Sequence, residues 1–317
     1  MLEVNVSRKV VEAEGVCSFE LTPVAGGDLP AFTPGAHVDV HVAPGLTRQY
    51  SLCNPSSERN RYVIAVLQEP NSRGGSKAMH ASVLEGTRVQ IGAPRNLFEL
   101  DMGATHYLLF AGGIGITPIL AMAHSLAAEG KSFELHYCGR SLERLAFIEQ
   151  IQATRWGECL RVHADNGPAE QRLDVASVLS EPSANHQLYV CGPAGFMNFV
   201  LDSARANGWN EAQLHREDFS APPQVQEGDQ PFEIELAKSG DVLIVTAQRT
   251  ALEVMLEHGV QVDSSCEQGI CGACITPVLS GTPDHRDQYM TDAEHLRNDC
   301  FTPCCSRSRT PRLVLDL

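Results

Sequence analysis

Cys266-Glu267-Gln268-Gly269-Ile270-Cys271-Gly272-Ala273-Cys274 carries three thiols in the spacing C-x4-C-x2-C. Two irons bridged by two sulfides need four thiolates arriving from different directions. This spacing, with a fourth cysteine farther along, suits a [2Fe–2S] cluster. Gly269 and Gly272 let the loop curl closely around such a group. Cys300, Cys304 and Cys305 all lie within reach as the fourth ligand, and spacing alone leaves that choice open. Structural zinc is the competing reading. It commonly uses two short Cys/His pairs, and only Cys271–Cys274 is such a pair. A chain holding the cluster moves electrons singly, so a two-electron donor upstream needs an adaptor.

Working outward from the loop, 232–237 and 242–246 read as strands flanking the hairpin signal Ser239-Gly240. Thr250 with Glu253 forms a capping box for a short helix ending near Gly259. A hairpin, a helix and the cysteine loop fit a small α+β domain over 231–317. The polar, Pro-rich stretch 221–231 reads as a linker.

Upstream, His106–Ala111 is a continuous apolar run, as in a strand buried on both faces. Gly112-Gly113-Ile114-Gly115-Ile116-Thr117-Pro118 follows, with Thr117 expected as N-cap and Pro118 as the first residue of a helix ending near Gly130. Strands at 133–138, 160–164 and 188–191 alternate with helices at 142–152 and 194–208. This pattern predicts a doubly wound parallel α/β domain over 102–222. The first 101 residues read as short strands at 2–10, 16–22, 37–42, 47–52, 61–67 and 87–92, punctuated by Pro34-Gly35, Pro44-Gly45 and Gly74-Gly75. They predict an antiparallel barrel.

A length of 317 residues exceeds one ordinary core and calls for two or three domains. Hydrophobic content of 43% with 20% charged residues describes a soluble globular chain. No apolar run reaches the roughly 20 residues that span a bilayer, and the N-terminus lacks a secretory pattern. The eleven cysteines, an odd number, fit a reducing compartment. A cytoplasmic location is expected. Cys17, Cys53, Cys138, Cys159, Cys191, Cys300 and Cys305 read as small buried hydrophobes. A net charge of −15 argues against nucleic acid and suits docking onto a basic protein patch. The twelve histidines form no metal motif. Trp156 and Trp209 read as packing residues.

Three further segments can carry chemistry. The glycine turn at 112–118 can receive a phosphate on backbone N–H groups and a helix dipole. In Arg48-Gln49-Tyr50-Ser51 the Arg can grip a phosphate, the Tyr can stack on a flat ring, and the Ser can hydrogen-bond a ring nitrogen. Gly74-Gly75-Ser76 reads as a loop able to cradle a phosphate. Read alone, each is equally an ordinary strand or turn.

Together, in this order, with Cys191-Gly192-Pro193 and the C-terminal cysteines, these segments resemble the phthalate dioxygenase reductase family, to which vanillate O-demethylase reductases belong. The likeness covers essentially the whole chain. It implies an FMN-binding barrel, an NAD-binding domain and a β-grasp, plant-type ferredoxin domain. Arg48, Gln49, Tyr50, Ser51, Gly74, Gly75 and Ser76 match flavin positions, with Ser51 near the reactive ring nitrogen. Gly112, Gly113, Gly115 and Thr117 match the pyrophosphate turn, and Cys191, Gly192 and Pro193 the motif beside the nicotinamide. Phe219 matches an aromatic laid over the flavin. With Cys266, Cys271 and Cys274, Cys304 matches the fourth ligand, because it precedes the x-Ser-Arg stretch. The resemblance implies electron flow from NADH through FMN and [2Fe–2S] to a separate Rieske-type non-haem iron oxygenase, and a monomer. Arg140 and Arg144 keep NADPH open on the residues alone. A stand-alone NADH diaphorase and a redox-sensing carrier module are the alternative functions.

Overall fold

The computed structural model describes residues 1–43, 46–70, 74–219, 226, 228–264 and 266–317. The chain divides into two compact units, Met1–Phe219 and Ser220–Leu317. Most of the expected linker, and the Pro44-Gly45 turn, lie outside the described residues.

In the first unit, β1 (Leu2–Ala13), β2 (Val16–Pro23), β3 (Ala36–Ala43), β4 (Leu46–Ser51), β5 (Tyr62–Leu67), β6 (Arg88–Ile91) and β7 (Arg95–Asn96) pair antiparallel. The order is β4-β3-β6-β1-β2-β5, with β7 on β3. A bridge between Leu52 and Ile64 joins the two outer strands, so the sheet curls into the expected barrel. Along β3, Val38 and Val40 are fully buried while Asp39 and His41 are only partly covered. Each buried apolar side chain contributes roughly 1.5–3 kcal/mol. A one-residue slip would expose both valines, and this fixes the register. The helix α1 (Gly75–Ser82) sends Met79 into the barrel core.

The same unit contains β8 (His106–Gly112), α2 (Ile116–Ala128), β9 (Ser132–Gly139), α3 (Ile148–Gln152), β10 (Leu160–Ala164), α4 (Val175–Val178), β11 (His186–Cys191), α5 (Ala194–Ala206) and β12 (Leu214–Glu217). The strands form a parallel sheet in the order β10-β9-β8-β11-β12. Tyr107, Leu109 and Ala111 pack on one face of β8, Leu108 and Phe110 on the other. The uninterrupted apolar run therefore serves two cores.

Two local expectations are corrected. No continuous helix spans 142–152: Leu142–Arg144 makes one tight turn, and α3 begins only at Ile148. Leu145, Ala146 and Phe147 are all buried in succession, which a helix with one apolar face cannot achieve, and Phe147 takes φ 66° to do so. Thr117 is not an N-cap. A tight turn over Gly113–Gly115 leads directly into α2, Gly115 precedes the helix, and the Thr117 hydroxyl donates back to the Ile114 carbonyl at 3.1 Å. The edge strand β12 was not anticipated, because four residues with three polar side chains give no strand pattern.

The second unit has β13 (Phe232–Leu236), β14 (Val242–Val245), α6 (Ala251–Glu257), β15 (Thr276–Ser280), β16 (Pro283–Asp284), α7 (Asp292–His295), β17 (Cys300–Phe301), β18 (Arg307–Ser308) and β19 (Arg312–Leu315). Its five-stranded sheet runs β14-β13-β19-β15-β17, with β13 and β19 parallel. Ala251, Val254 and Met255 of α6 are buried in the core it shares with this sheet, the β-grasp arrangement. The Thr250–Glu253 capping box forms in both directions. Among the described residues no helix is long and apolar enough to cross a membrane.

Candidate electron-transfer sites

On β4, Arg48 and Tyr50 stand opposite Val40 and Val38, while Gln49 and Ser51 share the other face, opposite Asp39 and His37. The expected flavin residues therefore divide between two faces of one strand. The Arg48 side chain lies over Gly75 at the start of α1, where an added Cβ would come within 2.6 Å of Arg48 Cγ and 2.8 Å of Nε. The Gly74–Ser76 stretch is thus the N-terminus of a helix, not a plain loop, and that helix has no acidic residue in its first turn. A guanidinium beside a helix N-terminus suits a phosphate group. Gln49 is held by neighbours, its Nε2 donating to Asp39 Oδ1 at 3.2 Å. Burial raises the Tyr50 phenol well above its ordinary range, so it stays a neutral, flat, amphipathic ring. These residues fit a flavin mononucleotide: a phosphate at Arg48 and α1, and a ring system along β4.

In the parallel sheet the strand order reverses between β8 and β11, and ligands of such sheets bind at that crevice. Gly112 ends β8 and Cys191 ends β11. The two turns interlock. A Cβ on Gly115 would overlap the Cys191 carbonyl, and one on Gly192 would come within 2.9 Å of Gly112 Cα. Only glycine allows α2 to start this close to β11, and the start of α2 fits a pyrophosphate. Pro193 and Phe196 close the side, 3.0 and 2.8 Å from a Cβ placed on Gly112.

The register between β11 and β12 sets Cys191 beside Glu217, a residue missed in the sequence. Ser51 Oγ donates to Glu217 Oε2 at 3.4 Å. Glu217 as a whole is half-buried, yet protein surrounds its carboxyl group closely. Burial pushes that carboxyl up to about 8; the Ser51 hydrogen bond opposes the shift and Asp218 adds to it. Burial, with Glu217 and Asp218 nearby, also raises the fully buried Cys191 thiol far above its ordinary value, so it is a neutral thiol. Ser51, Cys191 and Glu217 thus form one polar point where the barrel meets the parallel sheet. Phe219, 39% exposed, follows two residues after Glu217. Arg144, offered as a phosphate ligand, is paired with Glu14 at 2.9 Å. Arg140 stands exposed just past the end of β9.

In the second unit Cys266, Cys271, Cys274, Cys304 and Cys305 are all buried. The Cys266 and Cys271 thiols interact with each other, and the Cys304 thiol with both Cys274 and Cys305. The Cys266–Cys271 and Cys274–Cys304 contacts suit a [2Fe–2S] cluster, each iron of which takes two thiolates. Backbone N–H groups aim at the sulfurs: Gln268 and Ile270 donate to Cys266 Sγ at 3.3 and 3.4 Å, and Ala273 to Cys271 Sγ at 3.4 Å. Such donors stabilise thiolate charge. The Cys271 thiol and these N–H groups lower the proton affinity of Cys266 despite burial. The donor set fits an iron–sulfur cluster. Cys305 lies against Gly269, whose added Cβ would overlap its Sγ, and Cys305 Sγ is 3.2 Å from Thr302 Oγ1. Cys300 lies beside Met290, its Sγ 3.5 Å from Met290 Sδ.

A family model described as a 2Fe-2S iron-sulfur cluster binding domain matches residues 235–309, and one for an oxidoreductase NAD-binding domain matches 109–202. Fold and sites together define a flavin- and NADH-dependent iron–sulfur oxidoreductase. The chain is 54% identical to a vanillate O-demethylase oxidoreductase of Pseudomonas putida over the full length of both. It is 40% identical to a phthalate dioxygenase reductase of Burkholderia cepacia, covering 100% of this chain and 97% of that one. The solved structure of phthalate dioxygenase reductase superimposes with a TM-score of 0.78 at 40% identity, covering 100% of this chain and 98% of the other. The chain belongs to the phthalate dioxygenase reductase family. It is the reductase component of an oxygenase system and passes electrons from NADH through flavin and [2Fe–2S].

Proposed function

We propose that Arg48, Gln49, Tyr50, Ser51, Gly74, Gly75 and Ser76 hold FMN, that Gly112, Gly113, Gly115, Thr117, Cys191, Gly192 and Pro193 hold NADH, and that Cys266, Cys271, Cys274 and Cys304 hold the cluster. Domain limits of 1–101, 102–222 and 231–317 follow these sites. The partner is a Rieske-type non-haem iron oxygenase. Identity to the Pseudomonas putida relative, whose name specifies vanillate O-demethylation, supports a methoxylated aromatic acid as that oxygenase's substrate. A reducing, cytoplasmic setting is supported by eleven cysteines, none of them in a disulfide.

When bound, the flavin accepts a hydride as an electron pair and yields the electrons singly to the cluster. The chain's own part is placement and the removal of the proton left behind when the two electrons pass on. Arg48 and the start of α1 anchor the phosphate end. The interlocked glycine turns would hold the pyrophosphate, and Ser51 and Cys191 would stand by the nicotinamide end. The neutral Cys191 thiol gives that end an uncharged wall. Ser51 Oγ donates to Glu217 Oε2, and this buried link would lead the proton released on electron transfer toward Glu217 without bulk water. Phe219 would cover the ring. The observation that carries the reading is the junction of Ser51, Cys191 and Glu217, drawn from three strands of two sheets.

The test is anaerobic addition of NADH to the purified holoprotein. Flavin absorbance should bleach first, and the electron paramagnetic resonance (EPR) signal of a reduced [2Fe–2S] centre should follow. With a purified vanillate-demethylating oxygenase, NADH oxidation should then couple to demethylation. A bleached flavin with no cluster signal would refute the electron path. The acidic net charge favours docking onto a basic patch, and an oxygenase reduction rate unaffected by salt would refute that steering.

A further inference from the structure

Behind the cysteine loop lies a buried polar group that no electron-transfer step uses. Asp287 has a completely buried side chain. Its Oδ2 accepts the Met290 N–H at 2.8 Å, and its Oδ1 accepts the Thr302 hydroxyl at 3.3 Å. Oδ1 also lies 3.2 Å from His295 Nε2. The His295 ring stacks on His285 at 4.4 Å between centroids, and His285 Nδ1 stands 4.0 Å from the same carboxylate oxygen.

The position of this group matters more than its composition. On one side is the loop carrying three cysteines. A Cβ on Gly269, between Cys266 and Cys271, would lie 3.1 Å from Asp287 Cα, and Gln288 N–H donates to the Gly269 carbonyl at 2.9 Å. On the other side is the turn carrying Cys304. Thr302 is fully buried, its carbonyl accepts the N–H groups of Cys305 and Ser306, and its hydroxyl is 2.8 Å from Ser306 Oγ. Ser306 Oγ in turn accepts the Arg286 N–H at 3.1 Å. The segment around Asp287 therefore touches both stretches that bring sulfur to the site, beside the direct contacts of Cys305 with Gly269 and of Cys304 with Cys274.

We propose that Asp287, acting through Thr302 and Gly269, is a positioning residue for the iron–sulfur centre: it sets the separation between the Cys266–Cys271 pair and the Cys274–Cys304 pair. The inference rests on the assignment of those four cysteines as ligands. A buried carboxylate with three hydrogen-bonding neighbours is costly unless every bond is kept, so its geometry is closely held. Groups that orient metal ligands typically change metal affinity by about 10–100-fold when removed.

The experiment compares the intact holoprotein with Asp287→Asn, Thr302→Val and Thr302→Ser. Valine keeps the threonine shape and loses the hydroxyl; serine keeps the hydroxyl. Asp287→Asn and Thr302→Val should release iron to a ferrous chelator about 10–100-fold faster. They should also alter the EPR line shape of the reduced cluster, while NADH bleaches the flavin at the wild-type rate. Thr302→Ser should restore both cluster readouts. A folded Thr302→Val protein with wild-type release and line shape overturns the proposal, even if Asp287→Asn fails to fold. Cys304→Ala is the separate control. If that variant keeps a normal [2Fe–2S] signal, the ligand assignment itself is wrong.

Discussion

The glycine turn at 112–117, proposed to receive a pyrophosphate, and the cysteine loop at 266–274, proposed to hold the cluster, are built in opposite ways. The turn depends on strands far apart in the sequence: β8 and β11 become neighbours only through the sheet order, and Cys191 limits what Gly115 can be. The loop supplies three of the four proposed thiol ligands within nine residues. A site assembled by topology fails by misplacement, whereas a site assembled by local spacing fails by loss of a donor.

The sharpest way to break this contrast is to remove one donor. Cys271→Ser should lower cytochrome c reduction by NADH about 100-fold or more, since the cluster, the one-electron outlet of the proposed path, loses a thiolate. Flavin bleaching by NADH, measured by stopped flow, should be unchanged. Retained cytochrome c reduction would show a second outlet. The matching change in the turn is Gly115→Val, which forces β11 and α2 apart. A displacement of about 1 Å can cost 10²-fold, so kcat/KM for NADH should fall by that order while the cluster's EPR signal stays intact. A loss confined to the cluster would contradict the division of labour.

The same contrast explains what could be read in advance. Cysteine spacing, the apolar run at 106–111 and the Thr250–Glu253 box are local signals, and local physics produces what they describe. Glu217 carries no local signal. Its place follows from pairing with Cys191 across β11 and β12, and a short polar edge strand announces neither the pairing nor the burial. The broken helix at 142–152 failed for a related reason. Three successive buried residues, Leu145, Ala146 and Phe147, answer to the core beneath them and not to helical period. Spacing admits Cys300, Cys304 and Cys305 alike, and it is the resemblance around Ser306-Arg307 that favours Cys304.

A smaller effect tests how the loop is supported. Arg307 is buried, donates to the carbonyls of Arg249, Gln230 and Thr246, and lies over the Phe232 ring at 5.2 Å. It fastens the stretch just after Cys304 to the sheet. Arg307→Met removes the donor to three part-buried carbonyls and one charged neighbour of the buried Asp229 carboxylate, 3.6 Å away, and should cost about 3 kcal/mol. Heat-driven loss of cluster absorbance should therefore begin at a lower temperature, with NADH binding unaffected. An unchanged transition would mean that the cysteine loop does not depend on this anchor.

The subtlest difference lies in Glu217, because the topological site hides a proton that the local site does not need. Its carboxyl is raised from 4.5 to about 8, chiefly by burial. Between those two values the folded protein binds one proton more than the unfolded chain, so the stability this group contributes is full at low pH and declines as pH rises toward 8. Glu217→Gln keeps the shape and removes the titration. The melting temperature of the first unit should fall more steeply between pH 5 and 8 in the wild type than in the variant, and the rate of flavin reduction by NADH should lose an inflection near pH 8 in the variant. Scanning calorimetry and stopped-flow bleaching across that range check both. Parallel melting curves for the two proteins would mean that Glu217 ionises as an ordinary surface carboxylate, and the proton route through Ser51 would have no buried group at its end.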